Sequence, residues 1–115
     1  MDHRLFMAAT RIAVLTAMFL SAAGSLAAPQ SVVSLNLCTD QLLLALADPD
    51  QIKGLSPYAR DRWRAMAPDA AGRYPALSGT AEEVLVLKPE LILLGRFNKR
   101  ATTEAMRRLG FRVEE

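Results

Sequence analysis

Apolar blocks, polar turns and helix-like segments follow one another in a repeating order after residue 28. The first apolar run, Ser31 to Leu37, is rich in β-branched residues and predicts a buried strand. The next segment, Gln41 to Ala47, is apolar almost all round and predicts a buried helix. Thr39 or Asp40 is expected to cap that helix by accepting a hydrogen bond from its first turn. The pattern therefore begins as a strand followed by a helix.

The clearest local motif is Thr80-x-x-Glu83 ahead of an apolar run. This spacing predicts a capping box, in which each of the two side chains satisfies a backbone N–H group near the other residue, and Pro89 ends the helix. The pattern also predicts a short strand at Gln51 to Leu55, a helix at Arg60 to Ala67, at most a short strand at Tyr74 to Leu77, a strand at Leu91 to Leu94, a helix at Ala101 to Leu109 and the start of a strand at Phe111 to Val113.

Strands that alternate with helices imply a parallel sheet with right-handed crossovers. The fold class predicted is α/β, a small parallel sheet flanked by helices in a Rossmann-like arrangement. The turns that leave the strand C-termini must all lie along one edge of such a sheet, and ligands of open α/β sheets bind beyond that edge. Those turns are the candidate site.

Residues 1 to 27 are typical of a secretory signal peptide. Arg4 and Arg11 give a positive front, Ile12 to Leu20 gives an apolar core, and Ser25-Leu-Ala27 offers small residues for cleavage. The alternative is an uncleaved anchor, but the run is shorter than the ~20 apolar residues of a membrane span. We therefore expect secretion through a cleaved signal peptide and a mature domain at residues 28 to 115.

Composition excludes several kinds of function. The formal net charge of +2 gives no reason to expect nucleic acid as a partner. Cys38 is the only cysteine, so an internal disulfide is impossible, and we expect its thiol to be buried as a small hydrophobe. The only histidine, His3, lies in the predicted signal peptide, which removes histidine triads and histidine metal sites from the mature domain.

The edge turns combine aromatic and cationic side chains, which suits a flat or bulky anionic ligand. The alternative is a solvated basic rim with Phe97 packed in the core. Trp63 has helical spacing with Met66 and Ala67, so it is expected on a buried helix face. The residues in question are Tyr58, Arg60, Arg62, Arg96, Phe97, Lys99 and Arg100.

Four segments in this order resemble one family. They are Val32-Val-Ser-Leu-Asn-Leu-Cys-Thr-Asp-Gln-Leu-Leu-Leu44, Ile52-Lys-Gly-Leu-Ser-Pro-Tyr58, Ala81-Glu-Glu-Val-Leu-Val-Leu-Lys-Pro-Glu-Leu-Ile-Leu-Leu94 and Leu109-Gly-Phe-Arg-Val113. The chain resembles the N-terminal lobe of the periplasmic substrate-binding proteins that serve ABC importers of vitamin B12, haem and ferric siderophores. The resemblance implies two lobes joined by one long helix, with a metal chelate or corrinoid held in the cleft between them.

The resemblance also implies roles for individual residues. Glu82 matches the acidic residue that docks on the permease in the inner membrane, and Glu83 is taken up by the capping box. The ligand-facing positions that the resemblance implies are Tyr58, Arg96 and the first-strand turn with Asn36, Cys38 and Thr39. Arg60 and Phe97 are added from the aromatic and cationic character of the edge turns. Cys38 departs from the family pattern, since vitamin B12 binders commonly have a small residue there.

Members of this family continue through the linking helix into a second lobe, so we expect a truncated product or fragment, or a second lobe supplied by a separate chain. We expect no enzymatic activity and no resident cofactor. The competing interpretation is a small secreted Rossmann-like or flavodoxin-like enzyme, which the absence of Gly-x-Gly-x-x-Gly after the first strand disfavours. A secreted adaptor that uses Glu82 and the basic rim for protein contacts is the third alternative.

Overall fold

A four-stranded parallel sheet forms the centre of the computed structural model, which describes residues 27–115. Its strands are β1 (Val32–Ser34), β2 (Ile52–Gly54), β3 (Leu91–Leu93) and β4 (Val113–Glu114), in the order β2-β1-β3-β4. Every pairing is parallel. The α/β class predicted from the sequence is therefore confirmed.

Helices connect these strands. The α-helices are α1 (Leu37–Leu46), α2 (Pro68–Ala71), α3 (Ala81–Leu87) and α4 (Arg100–Arg108), and two 3₁₀ helices span Pro49–Gln51 and Pro57–Arg60. The short strand predicted at residues 74 to 77 is reduced to a single bridge between Leu55 and Ala76.

The sheet is covered on both faces, as expected for parallel strands. Val32 and Val33 are adjacent on β1 and enter different apolar clusters, because successive side chains of a strand point to opposite faces. One cluster contains Leu43 of α1 with Ile52, Leu55, Ala59 and Ala71. The other contains Val84 of α3 and Met106 of α4 with Leu35, Leu77, Ile92 and Leu94.

The start of α1 corrects the predicted cap. Asn36, not Thr39 or Asp40, is the N-cap residue, and its side-chain Oδ1 accepts a hydrogen bond from the N–H of Cys38 at 2.9 Å. Helix α1 consequently begins four residues earlier than predicted. Thr39 is used differently, since its hydroxyl donates to the Asn36 carbonyl at 3.0 Å and lies 2.7 Å from the hydroxyl of Ser34.

The predicted capping box at α3 is confirmed. Thr80 accepts from the N–H of Glu83 at 3.4 Å, and the Glu83 carboxylate accepts from the N–H of Thr80 at 3.3 Å. The same carboxylate accepts from the hydroxyl of Ser78 at 2.8 Å and from the N–H of Gly79 at 3.1 Å. These donors, the Ser78 hydroxyl foremost, hold the pKa of Glu83 below its usual range.

The helix predicted at Arg60 to Ala67 is wrong. The side chain of Asp61 accepts from the N–H of Trp63 at 2.9 Å, a local bond that competes with helix formation. Pro68 disfavours the helical conformation at Ala67 and instead begins α2. Trp63 and Met66 are therefore 97% and 88% exposed, where the sequence pattern placed them on a buried face.

The predicted signal peptide lies outside the described residues except for Ala27. Within residues 27–115, no helix has the length and apolar character needed to cross a membrane.

Candidate functional site

The connections that leave β1 and β3 run in opposite directions across the sheet. The chain leaves β1 for α1 on one face and β2 on one side, whereas it leaves β3 for α4 on the opposite face and β4 on the other side. A crevice forms beyond the carboxyl ends of the strands at such a switch point, and ligands of open α/β sheets bind there. The candidate site is therefore centred on the carboxyl ends of β1 and β3, in the middle of the predicted edge.

Asn98 joins the two strand ends at this point. Its side-chain Nδ2 donates to the carbonyl of Leu35 at 3.2 Å, and its Oδ1 accepts from the N–H of Gly95 at 2.8 Å. Gly95 in turn lies against the carboxamide of Asn36, so closely that a Cβ atom would overlap it. The two turns are therefore fixed to each other, and the sequence reasoning missed Asn98, although its polar amide follows a predicted strand.

A groove of about 690 Å³ opens at this edge. Its lining combines the turns after β1 and β3, the segment after β2, and the first turns of α3 and α4. The residues that line it include Asn36, Ser56, Pro57, Tyr58, Ser78, Gly79, Thr80, Glu82, Phe97, Asn98, Lys99 and Thr102.

Two aromatic side chains stand in this lining without being buried. Tyr58 is 55% exposed and Phe97 is 98% exposed. The alternative in which Phe97 packs in the core is therefore wrong. Aromatic surface left in water costs hydrophobic free energy, and its position beside a concave surface is typical of a binding site.

Charged side chains of both signs border the groove. Glu82 lies in the first turn of α3, and Lys99 immediately precedes α4. Both side chains are exposed. Because Glu83 is held by the capping box, Glu82 is the first-turn acid of α3 that is exposed to a partner, as the sequence predicted.

A buried carboxylate supports the groove from beneath. Asp40 of α1 is fully buried and accepts hydrogen bonds from the N–H of Ser56, at 3.1 Å, and from the Ser56 hydroxyl. Burial raises the pKa of Asp40, and the hydrogen bonds from Ser56 oppose that rise. Sequence reasoning gave Asp40 only a capping role, because no local pattern reveals a partner sixteen residues away.

The structure places the predicted site residues in two groups. Asn36, Tyr58, Phe97 and Glu82 line the groove. The other four do not line it: Cys38, Thr39, Arg60 and Arg96.

Each of those four has a definite position. Cys38 is exposed near the start of α1, which corrects the expectation of a buried thiol. Thr39 is partly buried against Ser34, Arg60 donates to the carbonyl of Tyr74, and Arg96 is exposed beside Phe97. Their contact with ligand remains a prediction.

The part of the chain from residue 27 onward contains no group of three or more histidine, cysteine, aspartate or glutamate side chains placed to hold a metal ion. What the groove offers a ligand is thus aromatic surface, amide and hydroxyl groups, one ammonium group and one carboxylate.

Comparison with solved structures shows the fold. The chain is similar to a periplasmic heme binding protein from Pseudomonas aeruginosa, with a TM-score of 0.60 and 21% identity over 76% of this chain and 31% of that one. It is equally similar to the periplasmic vitamin B12 binding protein BtuF of Vibrio cholerae, with a TM-score of 0.60 and 22% identity over 75% of this chain and 33% of that one.

The chain thus spans about a third of the length of these two structures. No family model matches the sequence, and no curated protein matches it. The resemblance to periplasmic binding proteins is confirmed as a likeness of fold.

Proposed function

We propose that this chain is a ligand-binding lobe of a periplasmic substrate-binding protein that serves an ABC importer, and that its ligand is a haem, a cobalamin-type corrinoid or an iron-siderophore. The observation that carries the proposal is the pair of exposed aromatic side chains, Tyr58 and Phe97, in a groove at the switch point of the sheet. The fold shared with haem-binding and vitamin B12-binding proteins supports it.

The groove has the chemistry that a flat or bulky ligand requires. The faces of Tyr58 and Phe97 offer apolar contact to a macrocycle or catecholate ring. The ammonium group of Lys99 borders the same groove and suits a carboxylate on the ligand edge. Asn36 already uses its side-chain oxygen to cap α1, so its role is to shape the turn as well as to contact ligand.

The remaining predicted contacts are kept as part of the proposal. All four lie in segments that follow a strand of the sheet, although none of them lines the groove. Cys38 and Thr39 are in the first turn of α1, Arg60 ends the 3₁₀ helix after β2, and Arg96 is in the turn after β3. Arg96 and Cys38 are exposed and reach a ligand only if it extends beyond the groove.

Glu82 is proposed to dock on the permease in the inner membrane. Its carboxylate is exposed, and it lies in the first turn of α3, where a negative charge is stabilised by the helix dipole. A permease that presents arginine would meet this carboxylate in a charge-assisted hydrogen bond. Residues 1 to 27 are proposed to direct the chain to the periplasm.

We further propose that the chain is not an enzyme and has no resident cofactor. Both similar structures are binding proteins, and the imidazole that the commonest hydrolytic sites need does not occur after residue 3 of this sequence.

Titration of the purified chain with haemin, with cyanocobalamin and with a ferric siderophore, followed by visible absorption, tests the proposal. We expect saturable binding of one of them, weakened by Phe97→Ala. Leu46→Ala is the matched control, since Leu46 is an exposed apolar residue at the far end of α1. Absence of saturation, or equal weakening by both substitutions, would contradict the proposal, because non-specific adsorption depends on apolar surface wherever it lies.

A further inference from the structure

Asp40 has an unusual position for a helix carboxylate. It lies within α1 yet is fully buried, and its hydrogen bonds go to Ser56, beyond β2, rather than to its own helix. We propose that Asp40 is a positioning residue, which holds the segment after β2 so that Tyr58 forms one wall of the ligand groove. This inference rests on the proposed function, since it specifies how that site is built.

The connection from Asp40 to Tyr58 is short. Ser56 is 3% exposed, and both its N–H and its hydroxyl donate to the Asp40 carboxylate. Ser56 is also the N-cap of the 3₁₀ helix Pro57–Arg60, and its carbonyl accepts from the N–H of Ala59 at 3.1 Å. Tyr58 is thus two residues from the anchored position, inside a single turn of helix.

The backbone of this turn is also held on either side of Tyr58. Leu55, which precedes Ser56, exchanges backbone hydrogen bonds with Pro75 and Leu77, and Arg60 donates to the carbonyl of Tyr74. Ala59 is buried in the apolar cluster on the α1 face, and the carbonyl of Tyr58 accepts from the N–H of Asp61 at 3.1 Å. The ring of Tyr58 has no hydrogen-bond partner among residues 27–115, and it is more than half exposed. The orientation of the ring therefore depends on the backbone that carries it, which Asp40 fixes at its start.

Packing alone does not account for a carboxylate here. An apolar side chain would fill the space between α1 and the turn without the cost of burying a charge. A carboxylate instead accepts two bonds from one residue and so permits one orientation of Ser56. Removing it leaves the Ser56 N–H and hydroxyl buried without an acceptor, and rotation of the segment toward water relieves that cost while moving Tyr58.

Helix α1 is itself secured to the sheet at this edge. The hydroxyl of Ser34, at the end of β1, lies 2.7 Å from the hydroxyl of Thr39, which precedes Asp40 in α1. Through Asp40, the segment after β2 is thus connected to α1 and, through Thr39 and Ser34, to the end of β1. These contacts fix the turn after β1 and the segment after β2 relative to each other.

Fluorine NMR of the chain labelled with 3-fluorotyrosine tests the inference without ligand. The sequence contains two tyrosines, so the spectrum has two resonances, which Tyr74→Phe assigns. In Asp40→Ala we expect the Tyr58 resonance to move toward the value of free fluorotyrosine, while that of Tyr74, whose side chain packs against the apolar cluster, moves less. Ser56→Ala, which removes only the hydroxyl, is expected to give a smaller shift in the same direction.

Val84→Ala is the control for general destabilisation. Val84 is fully buried in the cluster on the opposite face, so its truncation lowers stability without touching Ser56. The inference is overturned if Asp40→Ala and Ser56→Ala leave the Tyr58 resonance unchanged, or if Val84→Ala shifts it equally. If Asp40→Ala does not fold, Ser56→Ala alone decides between these outcomes.

Ligand affinity separates this inference from the function on which it rests. If Asp40→Ala leaves Tyr58 in its groove conformation about a tenth of the time, the dissociation constant of haemin rises about tenfold. In a Tyr58→Ala background the same substitution is expected to have no further effect on affinity. Failure of the unsubstituted chain to bind haemin, cyanocobalamin and a ferric siderophore alike contradicts the proposed function, whereas an unchanged ligand affinity in Asp40→Ala contradicts the inference.

Discussion

The carboxylate of Asp40 accepts a hydrogen bond from the N–H of Ser56 at 3.1 Å and another from the Ser56 hydroxyl. This pair joins α1, which follows β1, to the turn that follows β2. These hydrogen bonds are a buried polar contact, which we call the Asp40 anchor, at the edge of the sheet where the strands have their carboxyl ends.

Loss of this anchor destabilises the chain. Asp40→Ala leaves two buried donors of Ser56 without an acceptor, and we expect the free energy of unfolding to fall by about 1–3 kcal/mol. Urea denaturation followed by circular dichroism measures the difference. A change within the error of the measurement would show that water replaces the carboxylate and that the anchor is not needed.

The stability contributed by Asp40 depends on pH. Because burial raises its pKa in the folded state, the folded protein holds the proton more tightly than the unfolded chain does. Its contribution is therefore fully present below the unfolded value of about 3.9 and is lost as pH rises through the folded pKa. We expect the stability of the unsubstituted chain relative to Asp40→Asn to increase as pH falls from 7 toward about 4, as denaturation at several pH values would show. A constant difference would contradict the raised pKa.

Glu83 has the opposite dependence. Its folded pKa is lowered, chiefly by the Ser78 hydroxyl, so its contribution is present above the unfolded value of about 4.3 and is lost as pH falls through the folded pKa. Glu83→Gln is expected to reduce stability at pH 7 and to lose this effect at low pH. Glu82→Gln is the matched control from the same helical turn, and an equal effect of both substitutions would argue against the capping box.

Gly95 is required by close approach to Asn36. In Gly95→Ala the new methyl group overlaps the Asn36 carboxamide, and overpacking of this kind costs about 1–3 kcal/mol. The cost is expected to shrink in an Asn36→Ala background, since the nearest obstacle is then gone. A double-mutant cycle of unfolding free energies measures this coupling, and strict additivity would show that the two turns are independent.

Trp63 is exposed and Val84 is fully buried, although the sequence pattern placed Trp63 on a buried helix face. Trp63→Ala removes a large but exposed side chain, and we expect a change of less than about 0.5 kcal/mol. Val84→Ala opens a cavity among fully buried side chains and is expected to cost about 1 kcal/mol or more in unfolding free energy. Comparable losses for the two substitutions would place Trp63 in a packed environment after all.

The elements that the sequence predicted well are those with a dominant local cause. The capping box at Thr80 and Glu83 and the uninterrupted apolar run of β3 carry their own evidence in adjacent residues. The helix predicted from Arg60 to Ala67 is wrong because two local effects outweigh its helical spacing. The side chain of Asp61 accepts from the N–H of Trp63, and Pro68 disfavours the helical conformation at Ala67. Local spacing alone does not weigh these competing contacts.

The location of the candidate site could be predicted from the sequence, but the contacts that shape it could not. Its edge follows from the alternation of strands and helices, so Asn36, Tyr58 and Phe97 were expected there and do line the groove. Glu82 was singled out only by the family resemblance, as a docking residue. Four further residues expected to bind ligand do not line the groove: Cys38, Thr39, Arg60 and Arg96. Asn98 and the anchor of Asp40 depend on partners that are distant in sequence, and their positions become evident only once the strands are paired.

We expect the ligand to bind in the groove at the β1 and β3 strand ends. Amide chemical-shift mapping of the chain during titration with cyanocobalamin, and line broadening during titration with haemin, test it most directly. For the ligand that binds, we expect the largest changes at Tyr58, Phe97 and Asn98, and none near Leu46 at the far end of α1. Changes spread over the whole surface, or centred away from the groove, would contradict it.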